Sequence, residues 1–354
     1  MNYSSKISSL FLFKMISNKY NYVIIDFSYV LQRNLFVISK GKEVGEYTYG
    51  ELIRMMIWTI NKLARDYGLT SDKVVLIYDK WDKELGGYYT TYLLGGQYKD
   101  TRKYMTEEVF QEIKSDPTKT PEEIHKAELE LYQNQVKYKA KWSIIGNGGL
   151  GNFGIPCIGL DGWEADNLAW LASCLLYGKG DKPNILVTKD SDWQYLTNPS
   201  LDFFKMPKSG ESPKVITYDE MYYQIPESIR NRGIGLYQYK SLVDSIDGSH
   251  NDMRRTRKDY ANLERTILEV LDGDYSNIED LELFKKQYNS FDISRYPRFE
   301  EAKRLITDVL PTCGRLGSIP EFHTFCDKHK IEGISDRYFT DFISRFDPKL
   351  YCER

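Results

Sequence analysis

The chain repeatedly sets a short, wholly apolar run before a longer amphipathic one, with acids at or just beyond the end of each run. Tyr22-Val-Ile-Ile-Asp26, Lys73-Val-Val-Leu-Ile-Tyr-Asp79, Pro156-Cys-Ile-Gly-Leu160 and Asn184-Ile-Leu-Val-Thr188 lack the polar alternation of a half-exposed strand. Strands of that kind are covered on both faces. Between them, Thr48-Tyr-Gly-Glu51 forms a capping box for a helix ending near Gly68, and residues 163–177 read as another helix. Strand–helix alternation predicts an α/β fold, a parallel twisted sheet with flanking helices.

At 354 residues the chain has room for one large domain and an appendage, and 41% hydrophobic with 28% charged residues excludes a disordered polymer. Residues 1–20 read as an N-terminal extension. Their Leu-Phe-Leu-Phe run is broken by Lys14 and has no small-residue cleavage site, unlike a signal peptide. Residues 21–217 hold the α/β core, interrupted at about 84–153 by helical patterns without a strand, where Thr120-Pro-Glu-Glu123 caps a helix. Residues 218–354 read as a helical region, and no internal repeat is visible. No run of about 18 uncharged apolar residues exists to span a membrane. Cys157, Cys174, Cys313, Cys326 and Cys352 contain no Cys-x-x-Cys pair, which fits a reduced, cytoplasmic chain. With a formal charge of -3, any nucleic-acid surface must be local.

The position of the acids is the chemical signal. Asp26 and Asp79 end the first two strands, Glu164 and Asp166 follow the third, and Asp190 and Asp192 follow the fourth. In a parallel sheet those positions converge on the carboxyl edge, where such folds place their sites. Helix capping accounts for any one of these acids but does not require one after every core strand. Six carboxylates in one cleft need a cation, and oxygen ligands without His or Cys suit Mg²⁺ or Mn²⁺. Two such ions, roughly 3.5–4 Å apart, are the apparatus of phosphodiester hydrolysis.

The segments Val23-Ile-Ile-Asp26, Gly162-Trp-Glu164-Ala-Asp166-Asn167 and Thr188-Lys-Asp190-Ser-Asp192-Trp-Gln-Tyr-Leu196 resemble the acidic motifs of the flap-endonuclease-superfamily 5′ nucleases, and within them the T-even bacteriophage branch. Tyr98-Lys99-Asp-Thr-Arg102 is similar to that family's Tyr-Lys-x-x-Arg. The resemblance implies a nuclease core of the PIN-like type, a helical arch or bridge at 84–153, and a duplex-binding helical region. It implies a metal-dependent 5′-3′ exonuclease and flap endonuclease that removes RNA primers during replication. Asp26, Asp79, Asp166 and Asp190 would surround a first Mg²⁺, replaceable by Mn²⁺. Asp192 with a later Asp pair would serve a second ion, Glu164 would orient ligands or waters, and Lys99 and Arg102 would reach the scissile phosphate. Its partners would be branched or nicked DNA and RNA–DNA hybrid, bound by a monomer, with recruitment by a single-strand-binding protein or sliding clamp left open.

This chain has Asn167 where many members carry another Asp. The later Asp pair admits more than one register, Asp244 with Asp247 or a set including Asp252, and no Gly-x-Gly hairpin follows it. Tyr88, Tyr89, Tyr92, Tyr98 and Tyr104 interleave with Lys99, Arg102 and Lys103, as where a frayed 5′ end stacks beside cations that hold phosphate. Arg254, Arg255, Arg257 and Lys258 are a candidate duplex clamp, against the alternative of an ordinary exposed helix start. The Gly146–Gly151 run matches Gly-x-Gly-x-x-Gly in the wrong context for a dinucleotide and reads as a hinge. His323, Cys326 and His329 lack a fourth zinc ligand nearby. A non-cutting nucleic-acid-binding protein of the same fold and a PIN-type RNA nuclease are the competing readings. An intact acid set argues against the first, and the chain's length and bridge against the second. A haloacid-dehalogenase phosphatase would need an Asp where Ser28 stands.

Overall fold

The computed structural model describes residues 20–67, 69, 73–94, 105–146, 149–206, 214–248, 253–312 and 319–334. Six strands, β1 (Val23–Asp26), β2 (Val74–Ile77), β3 (Cys157–Ile158), β4 (Asn184–Thr188), β5 (Leu201–Lys205) and β6 (Lys214–Ile216), form one sheet in the order β3-β2-β1-β4-β5-β6. The first four are those expected. β4 and β5 run parallel, from Asn184 opposite Leu201 to Thr188 opposite Lys205, but β6 returns antiparallel, with Phe203 opposite Ile216. The sheet is therefore mixed rather than parallel throughout. A parallel return needs about a dozen residues or more, and the segment between Lys205 and Lys214 is shorter than that. No helix among the described residues is long and apolar enough to cross a membrane.

The chain divides into two compact units, one of residues 1–76, 103–157 and 309–354, the other of residues 77–102 and 158–308. In the first, β1 is buried at every position, and Asp26 at its end accepts a hydrogen bond from Tyr29 N (3.0 Å), starting the helix Phe27–Ser39. The helix Tyr49–Tyr67 opens with the expected reciprocal pair, Thr48 N to Glu51 Oε2 (2.8 Å) and Glu51 N to Thr48 Oγ1 (3.2 Å). Gly50, in its first turn, lies so near a neighbouring segment that a Cβ would stand 2.4 Å from Lys330 O. Pro121–Ile145, capped by Thr120 and Glu123, packs on that helix, with the Tyr132 hydroxyl donating to Tyr47 O and the two rings 5.1 Å apart. Phe110 of the helix Glu107–Ser115 joins Ala127 and Leu131 in a small core of its own. This stretch of the expected bridge is thus packed helix, held by the unit's other helices.

The second unit carries β4–β6, the helix Ala165–Leu176, the 3-10 turn Ser191–Leu196 and the helix Leu236–Asp247. Trp163 and Trp193 are its largest fully buried side chains. Beyond Tyr218 its regular elements are helical among the described residues, as expected.

Candidate metal centre

Local hydrogen bonding sets the acids of the second unit in place. Asp79 Oδ1 accepts from Ala165 N (2.8 Å), so the acid after β2 starts the helix that bears Asp166. The residue in the N-cap position of that helix, Glu164, contributes no capping hydrogen bond of its own and is only 4% exposed. Asp190 caps the turn after β4 by accepting from Asp192 N (2.9 Å). Asp166 Oδ1 accepts from the Trp193 indole (2.6 Å), which ties the Glu-Ala-Asp segment to the Asp-x-Asp-Trp segment.

Glycine is required at Gly162, just before these acids. Its φ is +79°, and a Cβ would stand 2.6 Å from the Tyr89 ring. Trp163 follows, fully buried, with its indole donating to Pro297 O (3.0 Å) and its ring edge-on to Tyr296 at 5.2 Å. Asn167 Nδ2 donates to Thr90 Oγ1 (3.3 Å) and lies 3.5 Å from the Tyr296 hydroxyl, which itself donates to Ser290 O (2.7 Å). Asn167 is thus a donor joining three segments of the unit.

Glu164, Asp166, Asp192 and Asp244 line one cavity of about 90 Å³, with Asn167, Trp193, Tyr237, Lys240 and Tyr296 among its other walls. Tyr237 stacks on Trp170 (4.0 Å, 13°), and burial pushes its hydroxyl well above the usual tyrosine range, leaving it a neutral donor to Phe291 O (3.3 Å). Lys240 Nζ stands 2.5 Å from Asp244 Oδ2 and 3.4 Å from Asp192 Oδ1. Burial works against the Lys240 charge, but the two carboxylates outweigh it and raise the ammonium above the ordinary lysine value. Sequence reasoning passed over Lys240. Its signal was the i,i+4 spacing to Asp244, which by itself marks only a helix-surface ion pair.

Of the expected acids of the same unit, Asp79, Asp190 and Asp247 do not line the cavity. Asp26 belongs to the first unit. Asp247 is one turn beyond Asp244, yet its Oδ1 accepts from Arg257 Nε (2.9 Å) and Nη2 (2.8 Å) and stands 3.5 Å from Arg255 Nε. Arg255 also reaches Asp259 (3.3 Å), and Arg257 donates to Ala261 O. Two of the four cations expected on a duplex therefore hold the protein's own chain. Their segment is irregular, not a helix start, and pairs with the chain through an Arg257–Ile278 bridge, while the Arg254 side chain stays exposed. Tyr98, Lys99, Arg102, Lys103, Tyr104 and Asp252 lie outside the described residues.

The cavity's acidic donors are all oxygens, which in chemistry fits a hard divalent ion. Among the described residues, however, no three His, Cys, Asp or Glu side chains close on a single ion position. The carboxylates must shift to hold one.

No family model and no curated protein matches the chain. Among solved structures, the zinc-bound 5′-exonuclease of T5 is similar over 92% of this chain and all of its own, at 16% identity and a TM-score of 0.46. The bacteriophage T5 flap endonuclease in a pseudo-enzyme–product complex with DNA and metal ions is similar over 92% of this chain and 99% of its own, at 16% identity and a TM-score of 0.44. Likenesses of this size leave the case to rest on the site.

Proposed function

We propose that the chain is a divalent-metal-dependent 5′ nuclease, a 5′-3′ exonuclease and flap endonuclease. One observation carries the reading: Glu164, Asp166, Asp192 and Asp244, from the motif segments and the later Asp pair, line a single cavity. A bound Mg²⁺ or Mn²⁺ there would polarise a phosphoryl oxygen and lower the pKa of a water. Glu164 and Asp166 would hold it. Asp79 fixes the helix start on which both stand, Asp190 fixes the turn that carries Asp192, and the Trp193 indole holds the Asp166 carboxylate in one orientation. Asp26 enters the ligand set on its motif. Lys99 and Arg102 would meet the scissile phosphate, Tyr98 and Lys103 the 5′ end, and Arg254 and Lys258 the duplex backbone.

In its finer form the reading makes this a counterpart of the ribonuclease H of T-even bacteriophages. It would remove RNA primers on the lagging strand in the host cytoplasm and act as a monomer on branched or nicked DNA and on RNA–DNA hybrid. The test is digestion of 5′-labelled flap, nicked and hybrid duplexes with Mg²⁺, Mn²⁺ or EDTA. Cleavage with either ion and none in EDTA is expected. Failure to cut any of the three with either ion overturns the reading.

A further inference from the structure

The side chain that least fits an empty metal cavity is Lys240. It is 13% exposed, its ammonium lies between the carboxylates of Asp192 and Asp244, and it stands 5.6 Å from the centre of the Tyr195 ring. A surface lysine in an i,i+4 pair keeps its ammonium in water, but this one is turned inward against an acid from a different element. A divalent ion bridging the same two carboxylates would need oxygens at about 2.0–2.2 Å and could not share the space with an ammonium. Like charges at that range in a partly buried site repel strongly.

We propose that Lys240 is a resident cation holding the place of a second divalent ion, so that the protein without substrate loads one ion and accepts another only when Lys240 is displaced. The proposal rests on the nuclease reading for the identity of the ions. With Lys240 in place the Asp192–Asp244 pair carries one net negative charge instead of two, and the acids can stand together before any ion arrives. An ion that enters the pair must drive Lys240 outward, and the flexible stem allows this.

The experiment counts ions and does not depend on turnover. Free Mn²⁺ is followed by electron paramagnetic resonance while wild type, Lys240→Gln and the charge-preserving Lys240→Arg are titrated, with calorimetry for affinity. Wild type and Lys240→Arg should bind one Mn²⁺, and Lys240→Gln should bind a second or bind at least tenfold more tightly. The gain should vanish in Lys240→Gln combined with Asp192→Asn. Should Lys240→Gln lose its near-ultraviolet circular dichroism, Lys240→Met, which keeps the stem against Tyr195, takes its place. Equal stoichiometry and affinity in wild type and the neutral variant would overturn the proposal, as would two ions bound by wild type alone. A gain in Mn²⁺ binding with no cleavage of any substrate would uphold the role of Lys240 and sink the nuclease reading instead.

Discussion

Asp244 and Asp247 stand three residues apart on one helix, and their surroundings are opposite in charge. Around Asp244, one ammonium serves two carboxylates, with Glu164 and Asp166 on the same cavity. Around Asp247 stand two guanidiniums, one of them shared with Asp259, and Asp247 does not line the cavity. The first cluster has an excess of negative charge that a further cation would relieve. The second is closed, with its charges matched by the protein itself. Charge balance, more than the presence of acids, separates a candidate site from a structural staple.

The largest effect is expected at Asp166, on the cavity side of this contrast. On the proposed function, Asp166→Asn should lower flap cleavage by at least about a thousandfold, since it removes a charge assigned to holding the metal. An amide oxygen can still accept the Trp193 indole, so the urea midpoint should hardly move. Single-turnover rates and urea melts on the same preparation check both halves, and a near-normal rate would take Asp166 out of the site.

The next contrast lies within the helix. Asp247→Asn strands Arg257, whose side chain is only 14% exposed, and should cost about 1–2 kcal/mol of stability while leaving Mn²⁺ affinity alone. Asp244→Asn should do the reverse, weakening Mn²⁺ binding with a smaller effect on the melt. If Asp247→Asn instead gives the defect relieved by more Mn²⁺, the staple belongs to the site.

A smaller effect is expected of the segment's other two cations, exposed Arg254 and half-buried Lys258. Replacing Arg254 and Lys258 by Ala should flatten the salt dependence of duplex binding by a slope of ~0.9 for each phosphate that is no longer neutralised. An unchanged slope in filter binding across a salt series would place the duplex grip elsewhere.

The smallest effect belongs to Asp161, another acid shared by two cations, Lys80 at 3.1 Å and Arg298 at 3.3 Å. Burial opposes its ionisation, but the two cations hold its carboxyl below the usual aspartate range. A depressed folded value means that its stabilisation is present above the unfolded pKa of about 3.9 and is lost as the pH falls through the folded one. Solvent screens the pair, so Asp161→Asn should cost less than about 1 kcal/mol at pH 6. The difference in urea midpoint between wild type and variant should shrink as the pH falls from 4 toward 2.

Much of the local architecture was legible because its signals lie within a few residues. The apolar runs of β1, β2 and β4 and both capping boxes, at Thr48 and Thr120, stand where the sequence puts them. Strands β5 and β6 were not legible. Leu201-Asp-Phe-Phe-Lys is short, and its pairing partners come from elsewhere in the chain. The alternative reading of the acids as helix caps is also instructive. Asp26, Asp79 and Asp190 each accept a backbone N–H at the start of a helix or turn. Capping engages one oxygen of a carboxylate, so it does not exclude ligand duty and even orients the group for it.

The sequence by itself determined which residue types could carry the chemistry and that acids would follow the core strands. Stereochemistry over three or four residues dictates caps and periodicity wherever the segment lies. Only the tertiary structure decided what each acid would face. The Trp193 indole reaches Asp166 across 27 positions, Arg257 reaches back to Asp247 across ten, and Lys240 bridges its own helix to the turn at Asp192. Two aspartates three apart are nearly equivalent to the helix that bears them. One lines an acidic cavity and the other is held by two arginines, because Coulomb energies depend on the charges that packing brings within a few ångströms, and the local sequence does not encode those distances.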